Sequence, residues 1–140
     1  MNINTLRQFT YELPQTLLGY ILTKVYKKRL LHIKEYASAS VHIYNDFPGG
    51  ISLGKYILVN DVSWWPEYQA KMISHEYGHC IQSKYLGWFY LPIIGICSGL
   101  HALTYKWRIK KGWIKSYYDY WTEKSADKLG GVKRGEQYYS

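Results

Sequence analysis

His75-Glu76-Tyr77-Gly78-His79 is the stretch from which the rest of this chain can be read. Residues four apart lie on one face of an α-helix, so His75 and His79 stand one above the other. Two imidazoles placed so can grip a single Zn2+, each at roughly 2.0–2.1 Å. Glu76 is one step round the helix from His75 and is turned away from the ligand pair. It can reach a water on the metal without occupying a ligand position. Two ligands, an open position and a carboxylate beside it are what metal-assisted hydrolysis requires. The pattern therefore predicts zinc as cofactor and Glu76 as general base.

A third protein ligand must come from later in the chain. After His79 the acidic residues are Asp119, Glu123, Asp127 and Glu136, and the one histidine is His101. A metzincin continuation would need histidine where Tyr85 stands, which excludes that class. Asp119, Glu123 and Asp127 are spaced by four and form an acidic stripe on one helix face, which by itself describes a solvated surface. The stretch Glu123-Lys124-Ser125-Ala126-Asp127 reads E-x-x-A-D. Following H-E-x-x-H, it resembles the second motif of the gluzincin metallopeptidases. The resemblance implies Glu123 as third zinc ligand and Asp127 as the carboxylate that buttresses His75. The spacing alone leaves open a register one turn earlier, with Asp119 as ligand and Glu123 as its support. The small Ala126, which lets two helices approach, and the longer reach of Glu favour Glu123.

The same resemblance implies an α+β, zincin-like fold. A short antiparallel or mixed sheet would pack on an active-site helix and on a second, ligand-bearing helix. It implies hydrolysis of a peptide or protein substrate by metal-activated water. It also implies an edge strand upstream of the motif that holds an extended peptide by strand addition. Residues 51–60 are the candidate, centred on Gly54, Lys55, Tyr56 and Ile57. A developing oxyanion needs a donor, and His101, Tyr105, Tyr117 and Tyr118 are the candidates. Two other readings compete. One is a non-catalytic, basic zinc-binding module on a membrane or nucleic acid. The other is similar to the SprT-like DNA-associated proteases and takes His101 as a third histidine ligand.

The chain has 140 residues, 47% of them hydrophobic. That is the size of one domain with a real core, here residues 1–140. Sixteen Tyr, six Trp and a net charge of +8 point to an anionic partner. An anionic membrane surface ranks ahead of nucleic acid. The oligomeric state is not legible. Cys80 and Cys97 make no disulfide framework, and Cys80 reads as a small buried residue. Reduced thiols and no recognisable secretory leader lead to the expectation of a cytoplasmic chain, peripheral to a membrane if it meets one.

Taken in order, residues 14–35 read as a helix with an apolar face of Leu17, Leu18, Ile21, Leu22 and Val25. Residues 39–44 and 51–60 read as strands joined in a hairpin or meander through Asn45–Gly50. His32 and His42 read as ordinary residues. The motif helix is expected to start at Ser63 to Pro66, with Ser63 as N-cap, and to end at Leu86-Gly87. Gly78 costs it about 1 kcal/mol of propensity, which suggests a close approach at that point. From Tyr85 to Tyr105 no charged residue occurs. A single crossing there would part the two zinc motifs, so a buried hairpin or a shallow dip into lipid is expected. Residues 106–115 are basic, residues 114–129 read as the second motif helix ended by Gly130-Gly131, and Val132–Ser140 as a frayed tail.

Overall fold

The computed structural model describes residues 2–135. The elements are α1 (Ile3–Gln8), α2 (Leu13–Val25), β1 (Leu30–Tyr36), β2 (Ala39–Tyr44), β3 (Gly50–Leu53), β4 (Tyr56–Asn60), α3 (Pro66–Leu86), α4 (Ile96–Lys110) and α5 (Trp121–Gly130). Mixed helix and sheet make this an α+β chain. The sheet has the order β1-β2-β4-β3. β1 and β2 run antiparallel, β2 and β4 parallel, and β3 and β4 antiparallel.

Both faces of the two central strands are covered. On one face Val41, Ile43, Ile57 and Val59 pack with Ile73 and Cys80 of α3. On the other, Tyr44 and Leu58 pack with Phe47 and with Leu22 and Tyr26 at the end of α2. This is why β2 is buried at every residue rather than at alternate ones. α5 lies along α3, and α4 packs against α5 and the turn that precedes it.

Several expectations give way to tertiary pairing. The predicted helix over residues 14–35 ends at Val25. A tight turn, Lys27–Arg29, leads into β1, because Leu30–Tyr36 finds a ladder with β2 and that pairing overrides the helical periodicity. The helix also turns its predicted apolar face outward. Leu17, Leu18, Ile21 and Val25 are exposed, while Gln15, Thr16 and Gly19 are buried. A Cβ on Gly19 would come within 2.8 Å of the Leu53 carbonyl oxygen, so α2 uses its small side to approach the sheet. The stretch 51–60 is two strands. It folds back at Gly54-Lys55, with Gly54 at φ +61°, into a two-residue hairpin. The expected hairpin between residues 39–44 and 51–60 is replaced by a parallel β2–β4 pair.

α3 starts at Pro66 and ends at Leu86, with Gly87 at φ 54° as its C-cap. Ser63 does not cap it. The Gln69 carboxamide instead accepts from the Val62 amide at 2.7 Å. Between Phe89 and Leu91 the chain bends by 116°. It passes through a π-helical turn, Leu91–Gly95, into α4. The charge-free stretch is therefore no buried hairpin. Ile94 and His101 are buried, but Trp88, Phe89, Ile96, Leu100 and Leu103 are exposed. Among the described residues no single helix is long and apolar enough to cross a membrane.

The crossing of α3 with α5 positions the site, and two glycines make it. A Cβ on Gly78 would lie 1.9 Å from the Ala126 carbonyl oxygen, and one on Gly130 would lie 2.0 Å from that of Ser74. Backbone meets backbone along this seam. Gly78→Ala should gain about 1 kcal/mol of helix propensity yet destabilise the protein by a net ~2 kcal/mol, because overpacking typically costs more than that gain. Urea unfolding midpoints measure it, and a variant as stable as wild type would contradict the packing described.

Candidate metal centre

α3 presents His75 and His79 on one face, one helical turn apart, and α5 presents Glu123 opposite them. One oxygen of Glu123, Oε2, lies 3.1 Å from His75 Nε2 and 3.2 Å from His79 Nε2. All three side chains are buried. Three ligands of a tetrahedral ion at about 2.0–2.1 Å would stand roughly 3.3 Å apart. The two distances to Glu123 Oε2 come close to that figure, the three ligand atoms lie within 4.8 Å of one another, and the group can hold a metal ion. Among the described residues it is the group of His, Cys, Asp and Glu with such convergence.

The imidazoles are held from behind. His75 Nδ1 donates to Asp127 Oδ1 at 2.7 Å and His79 Nδ1 donates to Gln82 Oε1 at 2.7 Å. These contacts put the proton on Nδ1 and turn Nε2 toward Glu123, the orientation that metal-bound histidines use. Gln82 is in turn anchored on the Thr122 carbonyl at 2.9 Å, and the Thr122 hydroxyl donates to Glu123 Oε1 at 3.1 Å. Asp127 receives Arg134 through Nε at 2.6 Å and Nη2 at 2.8 Å. The Arg134 guanidinium also covers the Tyr118 ring at 3.2 Å, and the same ring meets His75 edge-on at 5.4 Å between ring centres.

Burial and hydrogen bonding set the charge of the group. Burial works against a charged His75, but the bonds to Asp127 and Glu123 and the Glu76 charge outweigh it and push its pKa up to about 9. Burial would raise the Glu123 pKa, yet the hydrogen bonds to both histidines hold it well below the usual carboxylate range. A metal held by these nitrogens would displace protons from them. Glu76 is pushed up, first by burial and also by Glu123, against the pull of the two histidines.

A cleft of about 560 Å³ opens over the group, lined by β3, α3, α4 and the segment before α5. Glu76 lies on its wall against the main chain of Gly50, where a Cβ would come within 2.5 Å of Glu76 Oε1. Tyr105, Tyr117 and Tyr118 line the cleft as expected. Burial, together with the Glu123 and Glu76 charges, raises the Tyr117 phenol; burial raises Tyr118 despite Arg134. Both remain protonated donors.

Other expected residues stand elsewhere. His101 is fully buried, donates from Nε2 to the Tyr117 carbonyl at 2.7 Å and stacks on Tyr120 at 4.3 Å between ring centres. It is outside the ligand group, so the three-histidine site is not formed; its ring fixes the segment that carries Tyr117. Asp119 is not on α5. Its Oδ2 accepts from the amides of Lys115 and Ser116 at 2.9 Å each, capping the turn Tyr117–Asp119, which removes the earlier register. Gly54 and Lys55 form a turn, and Tyr56 and Ile57 belong to β4, which is paired on both sides. They offer no free edge. The edge that lines the cleft is β3. Cys80 is buried with its thiol pushed up to about 12, an inert packing residue.

Two supports escaped the sequence reading. Gln82 stands three residues after His79, a spacing that puts it on the same helix face and could have identified it. Arg134 lay in a segment read as a frayed tail and carries no local signal; Glu136 and the rest of that tail fall outside the described residues. Neither known protein families, nor curated proteins, nor solved structures return a match to this chain.

Metal affinity of single variants checks the assignment. Glu123→Ala should abolish tight binding, since two imidazoles alone are too few. Asp119→Ala and His101→Ala should retain it, and Asp127→Ala should weaken it by about 10–100-fold. Competition with a chromogenic chelator measures each. Binding that survives Glu123→Ala, or disappears in His101→Ala alone, contradicts the site.

Proposed function

We propose that this chain is a zinc-dependent peptidase with a gluzincin-like site and a zincin-like fold. The observation that carries the reading is the pairing of the His75, His79 and Glu123 group with a buried Glu76 at the edge of β3. Two imidazole nitrogens and one carboxylate oxygen are a donor set that suits zinc. Held by His75, His79 and Glu123, zinc would supply Lewis acidity and lower the pKa of a bound water to about 7.

The chain's own groups carry the rest. Glu76 accepts the proton of the attacking water and returns it to the leaving amine. Its raised pKa suits both duties, and the glycine at position 50 gives its carboxylate room. A non-catalytic site would have no use for a second buried carboxylate beside the ligands, since burying one unpaired is unfavourable. β3 receives the substrate as an added strand. With Leu53 opposite Tyr56 across the two-residue turn, Gly50 and Ser52 point their main-chain groups away from β4. The Ser52 carbonyl is already taken by the Tyr90 hydroxyl at 3.0 Å. Gly50, beside Glu76, is the free anchor for the backbone of a short extended peptide. Tyr117 and Tyr118, protonated and on the cleft wall, donate to the oxyanion as it develops.

Glu76→Gln separates binding from chemistry. It should retain zinc, because Glu76 is outside the ligand group, and lose about 10²–10⁴-fold in turnover, the usual worth of general acid–base help. Hydrolysis of a quenched-fluorescent peptide library, with zinc content measured in parallel, gives both values. Full turnover in the variant would refute the proposed role.

A further inference from the structure

α4 has two faces of opposite use. At 3.6 residues per turn, Ile94, Ser98, Ala102 and Tyr105 fall on one side, and they line the cleft. Ile96, Leu100, Leu103 and Trp107 fall within about 60° of one another on the opposite side. Leu103 is 85% exposed, and the other three are each at least half exposed. Further exposed apolar residues lie before α4. Trp88 and Phe89 precede it in exposed positions, and the Trp88 indole donates to the Thr10 carbonyl, which joins this end to the exposed Phe9 and Leu6 of the N-terminal segment. An apolar surface of this extent is well beyond singly scattered residues.

The charge around it selects the occupant. Lys110 and Lys111 stand at the end of the same helix face, and Lys106 flanks it; all three are exposed. Trp107 and Trp113 pack edge-on at 4.8 Å beside them, both exposed. Between Glu76 and Asp119 the chain has no Asp or Glu. A second copy of this face would therefore meet lysine with lysine and have no acid to offer. An apolar stripe with tryptophans and lysines at its end matches the boundary of an anionic bilayer, where acyl chains take the stripe, the headgroup region takes the indoles and phosphates take the ammonium groups. The 15 residues of α4 would extend about 22 Å. That is short of the roughly 30 Å hydrocarbon core, so the helix lies in the interface rather than across it.

We propose that the outer face of α4, with Trp88 and Phe89, is a docking surface for an anionic lipid bilayer. Docked so, only the thickness of one helix, about 10 Å, separates the bilayer from the cleft. The test is flotation of the metal-loaded protein with phosphatidylcholine vesicles, with and without phosphatidylglycerol. The wild type should float with the anionic vesicles at low salt and be released as salt shortens the screening length from about 10 Å at 0.1 M to 3 Å at 1 M. Leu103→Glu, at a site exposed enough to leave the fold and metal content unchanged, should cut vesicle binding by about tenfold or more, as expected for a charge pushed into an apolar contact. Lys110→Gln with Lys111→Gln should weaken binding to anionic vesicles and flatten its salt dependence. The proposal is overturned if the wild type stays unbound at low salt, or if Leu103→Glu floats like the wild type. It is equally overturned if a lipid-free dimer falls apart in Leu103→Glu, which would make the face a self-interface, or if the chain resists alkaline extraction, which would make it an embedded one. Glu76→Gln should float as wild type does, so this result and that of the peptidase test stand apart.

Discussion

One carboxylate oxygen, Glu123 Oε2, is held between the Nε2 atoms of His75 and His79, and the rest of the architecture serves that contact. The three atoms come from two helices whose backbones must nearly touch. With any side chain at Gly78, the Ala126 carbonyl would be displaced and α5 with it. The site thus depends on a helix crossing stabilised by the absence of atoms. The central strands make that crossing rigid, because β2 and β4 fill the opposite side of α3 with branched side chains. Interiors this closely packed shift in discrete steps rather than bend.

The carboxyl groups around the contact outnumber the fixed positive charges beside them. Glu76, Glu123 and Asp127 bring three carboxyl groups into a buried volume, and Arg134 pairs with Asp127. The hydrogen bonds from His75 to Asp127 and Glu123, with the Glu76 charge, outweigh burial and raise the His75 pKa. Buried carboxylates left without a cationic partner would be strongly unfavourable. Arg134 does more than neutralise: it fixes Asp127 and Tyr118 together, and so joins the orientation of a ligand to the wall of the cleft.

What the sequence revealed and what it hid divide along a physical line. His75, His79 and the limits of α3 were legible because helical spacing and a Pro–Gly frame are local. The roles of Gly78 and Ala126 were legible because a small residue within a motif helix points to a close neighbour. Glu123 was ranked above Asp119 by a resemblance, the small Ala126 and the longer reach of Glu, since equal spacing cannot reveal that Asp119 caps a separate turn. Strand pairing was hidden. The stretch 51–60 is β-rich at its end, and Gly54 at positive φ splits it into two strands, so the edge that faces the cleft was placed four residues too late. α2 misled for the opposite reason: its apolar stripe is real, but the sheet receives the small residues on the other side. Periodicity reports that a face is apolar, and not what covers it. Arg134 was invisible because a lone charged side chain near a terminus has no pattern.

The ligand set of the metal is the point on which everything above converges. X-ray absorption at the zinc edge of the metal-loaded protein measures it directly. The account predicts a four-coordinate site with two imidazoles and oxygen ligands at about 2.0–2.1 Å, with one oxygen contribution lost in Glu123→Ala. A spectrum that requires three imidazoles or a sulfur ligand would contradict it.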